Sequence, residues 1–273
     1  IRHEGDLLVN QLRSADSTIE ILAVGGLTLN DAILTGAESS NDLTLRTLSS
    51  FANADNDGNS DAIAGARSGI TLGALDSSGV VKLRAAGGIN YANEQTPALI
   101  ASRLDLRAGD NTNLRTNTAR LDAMLGNGDL TITQTAQALR LGNITLDGGD
   151  LTVSVDDQIV VESVSLRGEN RGLFDFDGDS GQTPEGVTDL AGTRDTAIGL
   201  AVLTSNNADI IGIAERSAVM LQAESVELNA ATGITGLEIA ANRLTVTSSG
   251  GDIEILLNGV LVKRKLVGLE DFG

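Results

Sequence analysis

The stretch GDLTI at residues 128–132 recurs as GDLTV at residues 149–153, a shift of 21 residues. The apolar residues that follow each copy repeat at a shift of 20, so one turn between strands has lost one residue. In both copies apolar and polar residues alternate, which is the period of a β-strand that directs one row of side chains inward. A single strand cannot bury this row, whereas units that repeat every ~20 residues bury it by stacking. The stretch therefore predicts an all-β fold, a parallel β-solenoid.

The same rhythm extends through most of the chain, in coils of 18 to 23 residues. In the last third, four apolar residues recur at a shift of 18: Val219, Leu221, Val226 and Leu228 return as Leu237, Ile239, Leu244 and Val246. Residues 112–125 also fit a short amphipathic helix, but we assign them to the solenoid because the clearest coil follows directly. Roughly ten to twelve coils at ~4.8 Å would form a rod on the order of 50 Å long.

Two segments rich in Asp, Asn and Gly interrupt the rhythm, at residues 51–67 and 169–198. Long loops are suspicious inside a compact domain but are normal side insertions from a solenoid coil. We therefore predict one solenoid segment over residues 1–273 with two loop insertions.

Residues 256–273 are interpreted as a terminal cap or as a joint to a following segment. Asn258-Gly259, flanked by apolar residues, is typical of a tight hairpin turn. The Lys263-Arg264-Lys265 run that follows fits either interpretation, because lysine discourages pairing at an open sheet edge.

Composition limits the function classes. Apolar residues make up 41% of the chain but aromatics only 2%, so the core must consist of Leu, Ile, Val and Ala. A net charge of −18 argues against nucleic acid and anionic membranes as partners, and no apolar run reaches the ~20 residues of a membrane helix. The chain has no Cys and is rich in Gly and Asn, a profile common in exported bacterial proteins. It begins at Ile1 without Met or a signal pattern, which suggests a segment of a longer protein.

Catalysis finds little support in the residue types. The one His is His3, and the absence of Cys removes the commonest nucleophile and base pairings. Enzymes with a parallel β-helix that cleave polysaccharides need a sugar groove lined by aromatic rings, whereas this chain has no Trp and only Tyr91. We predict that the protein is not an enzyme, and we keep a glycan-binding or glycan-cleaving β-helix as the alternative.

The two insertions contain candidate calcium ligands. The first has oxygen-bearing residues at alternate positions with Gly58 at the turn, as calcium loops of the EF-hand kind do, although Ala64 replaces the expected bidentate acid. The candidate metal ligands are Asn53, Asp55, Asp57, Asp61, Asp175, Asp177 and Asp179. Ca²⁺ would neutralise these carboxylates and rigidify the loops. The alternative is that they are ordinary turn residues in an acidic protein.

Thr131 and Thr133, followed by Thr152 and Ser154, form a short hydroxyl ladder on the polar side of the repeated strand. Such a ladder can indicate an ice-binding face. We interpret it as a solvated strand face, because from the sequence it ends after two coils.

The unit NGDLTIT at residues 127–133, followed by ALRLGNI at residues 138–144, resembles repeats of large filamentous haemagglutinin-like exoproteins. The sequences at residues 88–89, 233–234 and 251–253 are similar. The resemblance implies a right-handed parallel β-helix, export to the surface of a Gram-negative bacterium, and a role as the shaft of an adhesin or surface fibre. On this hypothesis the partners are the chain itself or flanking repeats, end to end, and surface glycans or proteins of a host or neighbouring cell.

Overall fold

The computed structural model describes residues 1–35, 41–48, 51–52, 61–62, 68–92, 99–126, 128–167, 197–213 and 219–264. Over these residues the chain is all-β without a helix, and its parallel strands stack as a β-solenoid of about nine turns. The predicted fold class is confirmed. In the part of the chain described, no helix could cross a membrane.

Twenty-five strands make up the described structure. They are β1 (Arg2–Glu4), β2 (Leu7–Val9), β3 (Leu12–Ala15), β4 (Ile19–Val24), β5 (Leu27–Thr35), β6 (Leu43–Leu48), β7 (Phe51–Ala52), β8 (Asp61–Ala62), β9 (Ile70–Ser77), β10 (Val80–Ala85), β11 (Ile89–Tyr91), β12 (Leu99–Ala108), β13 (Thr112–Leu125), β14 (Leu130–Gln134), β15 (Leu139–Leu146), β16 (Leu151–Val155), β17 (Ile159–Leu166), β18 (Leu200–Ser205), β19 (Asp209–Gly212), β20 (Leu221–Gln222), β21 (Ser225–Ala230), β22 (Gly233–Ala240), β23 (Arg243–Ser248), β24 (Ile253–Leu257) and β25 (Val260–Arg264). The assignment of residues 112–125 to a strand is confirmed.

Parallel pairing arranges these strands in three stacks. The first stack runs β2, β5, β9, β11, β13, β14, β16, β18, β21, β23. The second runs β1, β4, β6, β10, β12, β13, β15, β17, β20, β22, β24. A third joins β3, β5, β9 and β12 in the early turns and β15, β17, β19, β22 and β24 in the later ones. Long strands bend at corners and so belong to two stacks.

One inward-facing column in each of the first two stacks can be followed through ten successive strands. In the first stack it is Leu7, Leu27, Ile70, Ile89, Thr112, Leu130, Leu151, Ala201, Val226 and Leu244. In the second it is Ile21, Leu45, Leu83, Leu106, Ala123, Ile144, Val164, Leu221, Ile239 and Leu257. Apart from Thr112 the members are aliphatic, and no aromatic side chain is among the described core residues. Aliphatic stacking is therefore the main source of burial.

The repeat spacings predicted from the sequence are confirmed by the strand pairing. Leu130 pairs with Leu151 and Val226 with Leu244, at the shifts of 21 and 18. The insertions lengthen two steps of the first column, which take 43 residues before Ile70 and 50 residues before Ala201. Because the insertions use this much chain, the estimate of ten to twelve coils was too high, and nine steps of ~4.8 Å give a rod of about 43 Å.

Side-chain hydrogen bonds link successive coils at the corner that precedes the first stack. The Oδ1 atoms of Asn111, Asp129 and Asp150 each accept a hydrogen bond from a backbone N–H of the next coil, at 2.9, 2.9 and 2.7 Å. Gly149, just before Asp150, has a positive φ of 94° that a side chain would strain. The two residues of the recurring Gly-Asp pair therefore have different roles at this corner. Glycine adopts the turn conformation, and the aspartate side chain accepts a hydrogen bond from a backbone N–H of the next coil.

The hairpin predicted at the end is confirmed, because β24 and β25 pair antiparallel around Asn258 and Gly259. Both turn residues have positive φ, 48° and 80°, as a tight hairpin turn requires. Lys263 forms an ion pair at this edge, because its Nζ lies 2.8 Å from Oε1 of Glu254 on the paired strand.

One expectation about an individual residue was wrong. Val219 was expected in the core with Leu237, but it is 44% exposed, and Leu237 stacks instead on Ile255. In the first insertion, β7 and β8 pair antiparallel with each other, in a two-stranded sheet separate from the solenoid strands. Residues 169–196 of the second insertion lie outside the described residues.

Candidate functional site

One outer surface of the solenoid concentrates positive charge. We call it the arginine face and define it as the outer side of the second stack between β6 and β15. Its cations are Arg46, Lys82, Arg84, Arg103, Arg107, Arg120 and Arg140, seven of the nineteen Lys and Arg residues in the chain. They project outward because each lies beside buried aliphatic residues of its strand, and neighbours on a strand face opposite ways.

Strand register sorts six of the cations into two columns. The first column stacks Arg46, Arg84 and Arg107 in successive coils, and the second stacks Arg103, Arg120 and Arg140. The columns overlap on β12, which carries both Arg103 and Arg107, about 13 Å apart along the strand. Within a column the spacing is ~4.8 Å, so together they form a diagonal band across five coils.

The second column is linked into a chain of alternating arginines and carboxylates. The Oδ2 atom of Asp122 lies 2.9 Å from Nε of Arg103 and 3.0 Å from Nε of Arg120. The two Nη atoms of Arg120 donate to the two carboxylate oxygens of Glu162 at 2.8 Å, and Arg140 contacts the same carboxylate. Both carboxylate side chains are only 10% exposed. This chain of charge-assisted hydrogen bonds therefore ties four successive coils.

Gly142 makes room for the ion-pair chain. Arg120 reaches Glu162 past the intervening coil at Gly142, where a Cβ would lie 2.2 Å from Oδ1 of Asp122 and 2.5 Å from Nη2 of Arg120. The strand pairing shifts register at this point, with one extra residue in β15 opposite Asp122. The N–H of Asn143 in this bulge donates to Asp122 Oδ1 at 2.9 Å. The backbone is thus shaped around the buried carboxylate.

The environment keeps both carboxyls ionised. Burial alone would raise the pKa of Asp122, but hydrogen bonds from Arg120 and from the N–H of Asn143 outweigh it, and the pKa lies below its usual value. Glu162 shows the same balance: hydrogen bonds from Arg120 and Arg140 outweigh its burial, so its pKa is also lowered. The pKa of Arg120 is raised, chiefly by its hydrogen bond to Asp122. These groups are therefore fixed charges at neutral pH.

The other cations of the face differ in how they are paired. Arg84 donates to Asp105 at 2.6 Å, whereas Lys82 and Arg107 make no ion pair among the described residues. Arg103 and Arg140 are paired yet still 48% exposed. Seven cations lie on the face, beside the carboxylates Asp105 and Asp122 of the same strands and Glu162 of the neighbouring strand β17, in a chain of net charge −18. A cluster of cations of this kind is suited to anions.

A second surface feature is a shallow cleft of about 430 Å³ on the third stack. Polar side chains at its edge include Asp76, Ser78, Ser102 and Asn117. Hydroxyl, amide and carboxylate groups of this kind can bind sugar hydroxyls, but the cleft lacks the stacked cations of the arginine face.

The predicted calcium ligands cannot be placed with these features. Six of the seven lie outside the described residues: Asn53, Asp55, Asp57, Asp175, Asp177 and Asp179. Asp61 belongs to β8, of which only the backbone is described. Elsewhere, over the residues that the structure describes, no group of three or more His, Asp or Glu could hold a metal ion. Calcium binding by the insertions stays a prediction.

The arginine face was missed in the sequence, although a signal was present. Arginines recur beside the apolar pairs at shifts of 23 from Arg84 to Arg107, 17 from Arg103 to Arg120, and 20 from Arg120 to Arg140. These are the same shifts that align the core, so arginines at coil spacing predict a column. This local repeat of arginines was not recognised because acidic residues outnumber basic ones in the chain as a whole.

Fold and surface together define a class of protein, a parallel β-solenoid with a charged outer ladder. Comparison with models of protein families, with curated proteins and with solved structures finds no match for this chain.

Proposed function

We propose that this chain is a non-catalytic structural segment of a bacterial fibre or adhesin that is secreted or displayed on the cell surface. The observation that carries the proposal is the pair of ten-membered inner columns, which continue past both insertions. Each coil is hydrogen-bonded to the next along its strands, so the solenoid is stiff along its axis. A stiff rod with side insertions suits a shaft that holds contacts away from a surface.

Two further features support the finer parts of the proposal. The Gly-Asp corner units recur at coil spacing, as in the haemagglutinin-like exoproteins that the sequence resembles. At one end of the solenoid, Val260 and Leu261 of β25 are 65% and 54% exposed. Apolar residues on an edge strand favour pairing with another chain, which agrees with end-to-end association with a second copy or a flanking repeat.

The carboxylates of the arginine face support a structural rather than a catalytic role. A general acid for glycoside cleavage needs a raised pKa, whereas those of Asp122 and Glu162 are lowered. Their oxygens are occupied by arginine donors, so they hold coils together instead of offering a proton.

Electron microscopy of the purified protein over a concentration series tests the proposal. We expect rods that lengthen by end-to-end association, and shorter particles after Val260→Lys with Leu261→Lys. Met124→Lys, at an exposed apolar residue of β13 away from both ends of the solenoid, distinguishes a specific edge from a general gain in solubility. Compact monodisperse monomers at every concentration, with no larger parent chain in the producing cell, would contradict a shaft.

Glycan binding is the second candidate function, and the polar cleft on the third stack favours it. A binding screen over neutral polysaccharides, repeated after deletion of residues 51–67 and 169–198, would separate the cleft from the insertions. Binding that survives the deletions and is lost with Asn117→Ala locates the contact in the cleft. Release of new reducing or unsaturated sugar ends would instead identify a glycan-cleaving enzyme.

A calcium titration followed by limited proteolysis tests the remaining part of the proposal. Ca²⁺ bound to the insertions would protect residues 51–67 and 169–198 from cleavage, because the ion would cross-link carboxylates in segments rich in Asp. Unchanged cleavage at both segments would remove calcium from the proposal.

A further inference from the structure

We propose that the arginine face binds a linear acidic polysaccharide that carries a carboxylate on its successive sugars. The residues of this site are separate from those that line the cleft, and they all belong to the folded monomer. Its activity is therefore independent of whether the chain assembles into fibres.

Positive charge is concentrated on the arginine face. Seven of the nineteen cations of the chain lie there, although the net charge of the chain is −18. The local field is therefore more positive than the field of the whole molecule. An extended polyanion can lie along the band and make several contacts at once.

The cations of the face are also periodic. Arg46, Arg84 and Arg107 repeat at the coil spacing of ~4.8 Å, and the column of Arg103 continues the band diagonally over five coils. A receptor whose charges repeat at a fixed interval is complementary to a ligand whose charges also repeat. Polymers of uronic acids have this character, because every sugar contributes one carboxylate.

Several donors of the face are available to a ligand. Lys82 and Arg107 make no ion pair among the described residues, and Arg107 is exposed. The guanidinium of Arg107 can form two parallel hydrogen bonds with one carboxylate. Arg103 and Arg140 keep about half of their side chains exposed while their carboxylate partners fix them in place. These arginines are therefore held in position before a ligand arrives.

Other polyanions fit less well. Single-stranded nucleic acid is held by aromatic side chains as well as cations, and the chain has one Tyr and no Trp. No aromatic residue lies among the face's described strands β6, β10, β12, β13 and β15. Duplex DNA carries a much denser charge, which would interact with the acidic remainder of the protein unfavourably.

The test is the binding of polygalacturonate to the complete chain at several salt concentrations. We expect binding that weakens as salt rises, and a loss of at least tenfold in the double variant Lys82→Ala with Arg107→Ala. Arg115→Ala is the matched control, since Arg115 lies on the outer side of the first stack and makes no ion pair among the described residues. It should change the affinity by less than twofold.

Three comparisons make the outcome decisive. Arg107→Lys should retain part of the affinity, neutral dextran should not bind, and all variants should keep the unfolding midpoint of the parent. An equal loss with Arg115→Ala, or no binding of polygalacturonate at low salt, would overturn the proposal. So would DNA or dextran sulfate binding as tightly as polygalacturonate with the same sensitivity to the double variant, because the face would then recognise charge alone.

Discussion

The first and second stacks carry very different residues outside the same kind of core. On the first stack, Thr133, Ser154, Thr204, Asn229 and Thr247 follow one another in register, and we call this outer surface the threonine face. On the second stack the outward-facing residues include the arginines and carboxylates of the arginine face. Since both surfaces cover aliphatic columns of ten members, the inner row determines the fold and leaves the outer row free to vary.

The two faces differ, however, in how far they affect the backbone. Along the threonine face, β14, β16 and β18 pair without a break in register, because small neutral side chains need no extra space. Beneath the arginine face the pairing of β13 with β15 shifts by one residue at Gly142, where buried charges must be accommodated. Burying ion pairs beside a solenoid coil therefore goes with a break in strand register. Variants on the two faces can test this difference.

The largest effect is expected from the shared core. Leu151→Ala leaves a cavity in the middle of the first column and should lower the free energy of unfolding by about 2–5 kcal/mol. Thr152→Ala is the adjacent control on the threonine face, and because Thr152 is exposed it should change stability by no more than about 0.5 kcal/mol. Urea unfolding measures both. Similar losses in the two variants would mean that the inner and outer rows are wrongly assigned.

Removing a carboxylate should affect the arginine face far more than the threonine face. Glu162→Gln removes the charged partner that Arg140 has among the described residues and one of the two charged partners of Arg120, and should lower the free energy of unfolding by about 1.5–3 kcal/mol. Glu227→Gln is the control, because Glu227 lies on the threonine face and its side chain accepts one hydrogen bond from a described residue, that of Asn229 at 3.0 Å. If both variants lose the same free energy of unfolding, the ion-pair chain contributes no more stability than an exposed carboxylate does.

The same variant predicts a pH dependence. Because the pKa of Asp122 and of Glu162 is lower in the folded state, folding is favoured above the ordinary carboxyl pKa values and loses this contribution as the pH falls through the folded values. The stability difference between the parent protein and Glu162→Gln should therefore be fully present at neutral pH and shrink below about pH 4. A difference that grew on acidification would contradict the lowered pKa values.

A methyl group at the bulge should disturb the arginine face through its geometry. Gly142→Ala places Cβ against Asp122 and Arg120 and should cost about 1–3 kcal/mol. In an Asp122→Ala background much of this cost should disappear, because the nearest atom has been removed. A double-mutant cycle in urea measures the coupling, and strict additivity would mean that Gly142 is required for a backbone reason alone.

The smallest effect is expected at the exposed pair of the terminal hairpin. Lys263 and Glu254 are 55% and 52% exposed, so Lys263→Ala should change the free energy of unfolding by about 0–1 kcal/mol. Thermal unfolding at low and high salt provides the measurement. A loss as large as that of Glu162→Gln would remove the distinction between buried and exposed ion pairs on this solenoid.

The sequence was sufficient to predict the core because burial repeats with the coil. Leu130 over Leu151 and Leu221 over Ile239 follow from apolar residues at matching shifts, which stack only in one register. The hydroxyl ladder was expected to end after two coils, and this holds for one of its two columns, where Val202 follows Thr152. Thr204 continues the other column, but this match was not visible in the sequence because Thr204 lies 50 residues beyond Ser154, after the second insertion.

The arginine face could be predicted only in part. The arginine spacings locate its columns, but the bidentate contact between Arg120 and Glu162 spans 42 residues and two coils, and it depends on a bulge at Gly142. Nothing in the alternation of polar residues shows that a glycine is needed there to clear a side chain from another coil. The role of Asp129 and Asp150 as corner acceptors was hidden for the same reason, since their partners lie in the next coil.

The stacking of coils across the second insertion is tested most directly by a disulfide. The chain has no Cys, so Thr152→Cys with Val202→Cys creates one pair of thiols on neighbouring strands β16 and β18. Their expected Cα separation of ~4.8 Å lies within disulfide range, although 50 residues separate them in sequence. We predict rapid formation of an intramolecular disulfide in this variant and none in Thr131→Cys with Val202→Cys, two coils apart. Equal cross-linking in both variants, or none in either, would contradict the stacked solenoid.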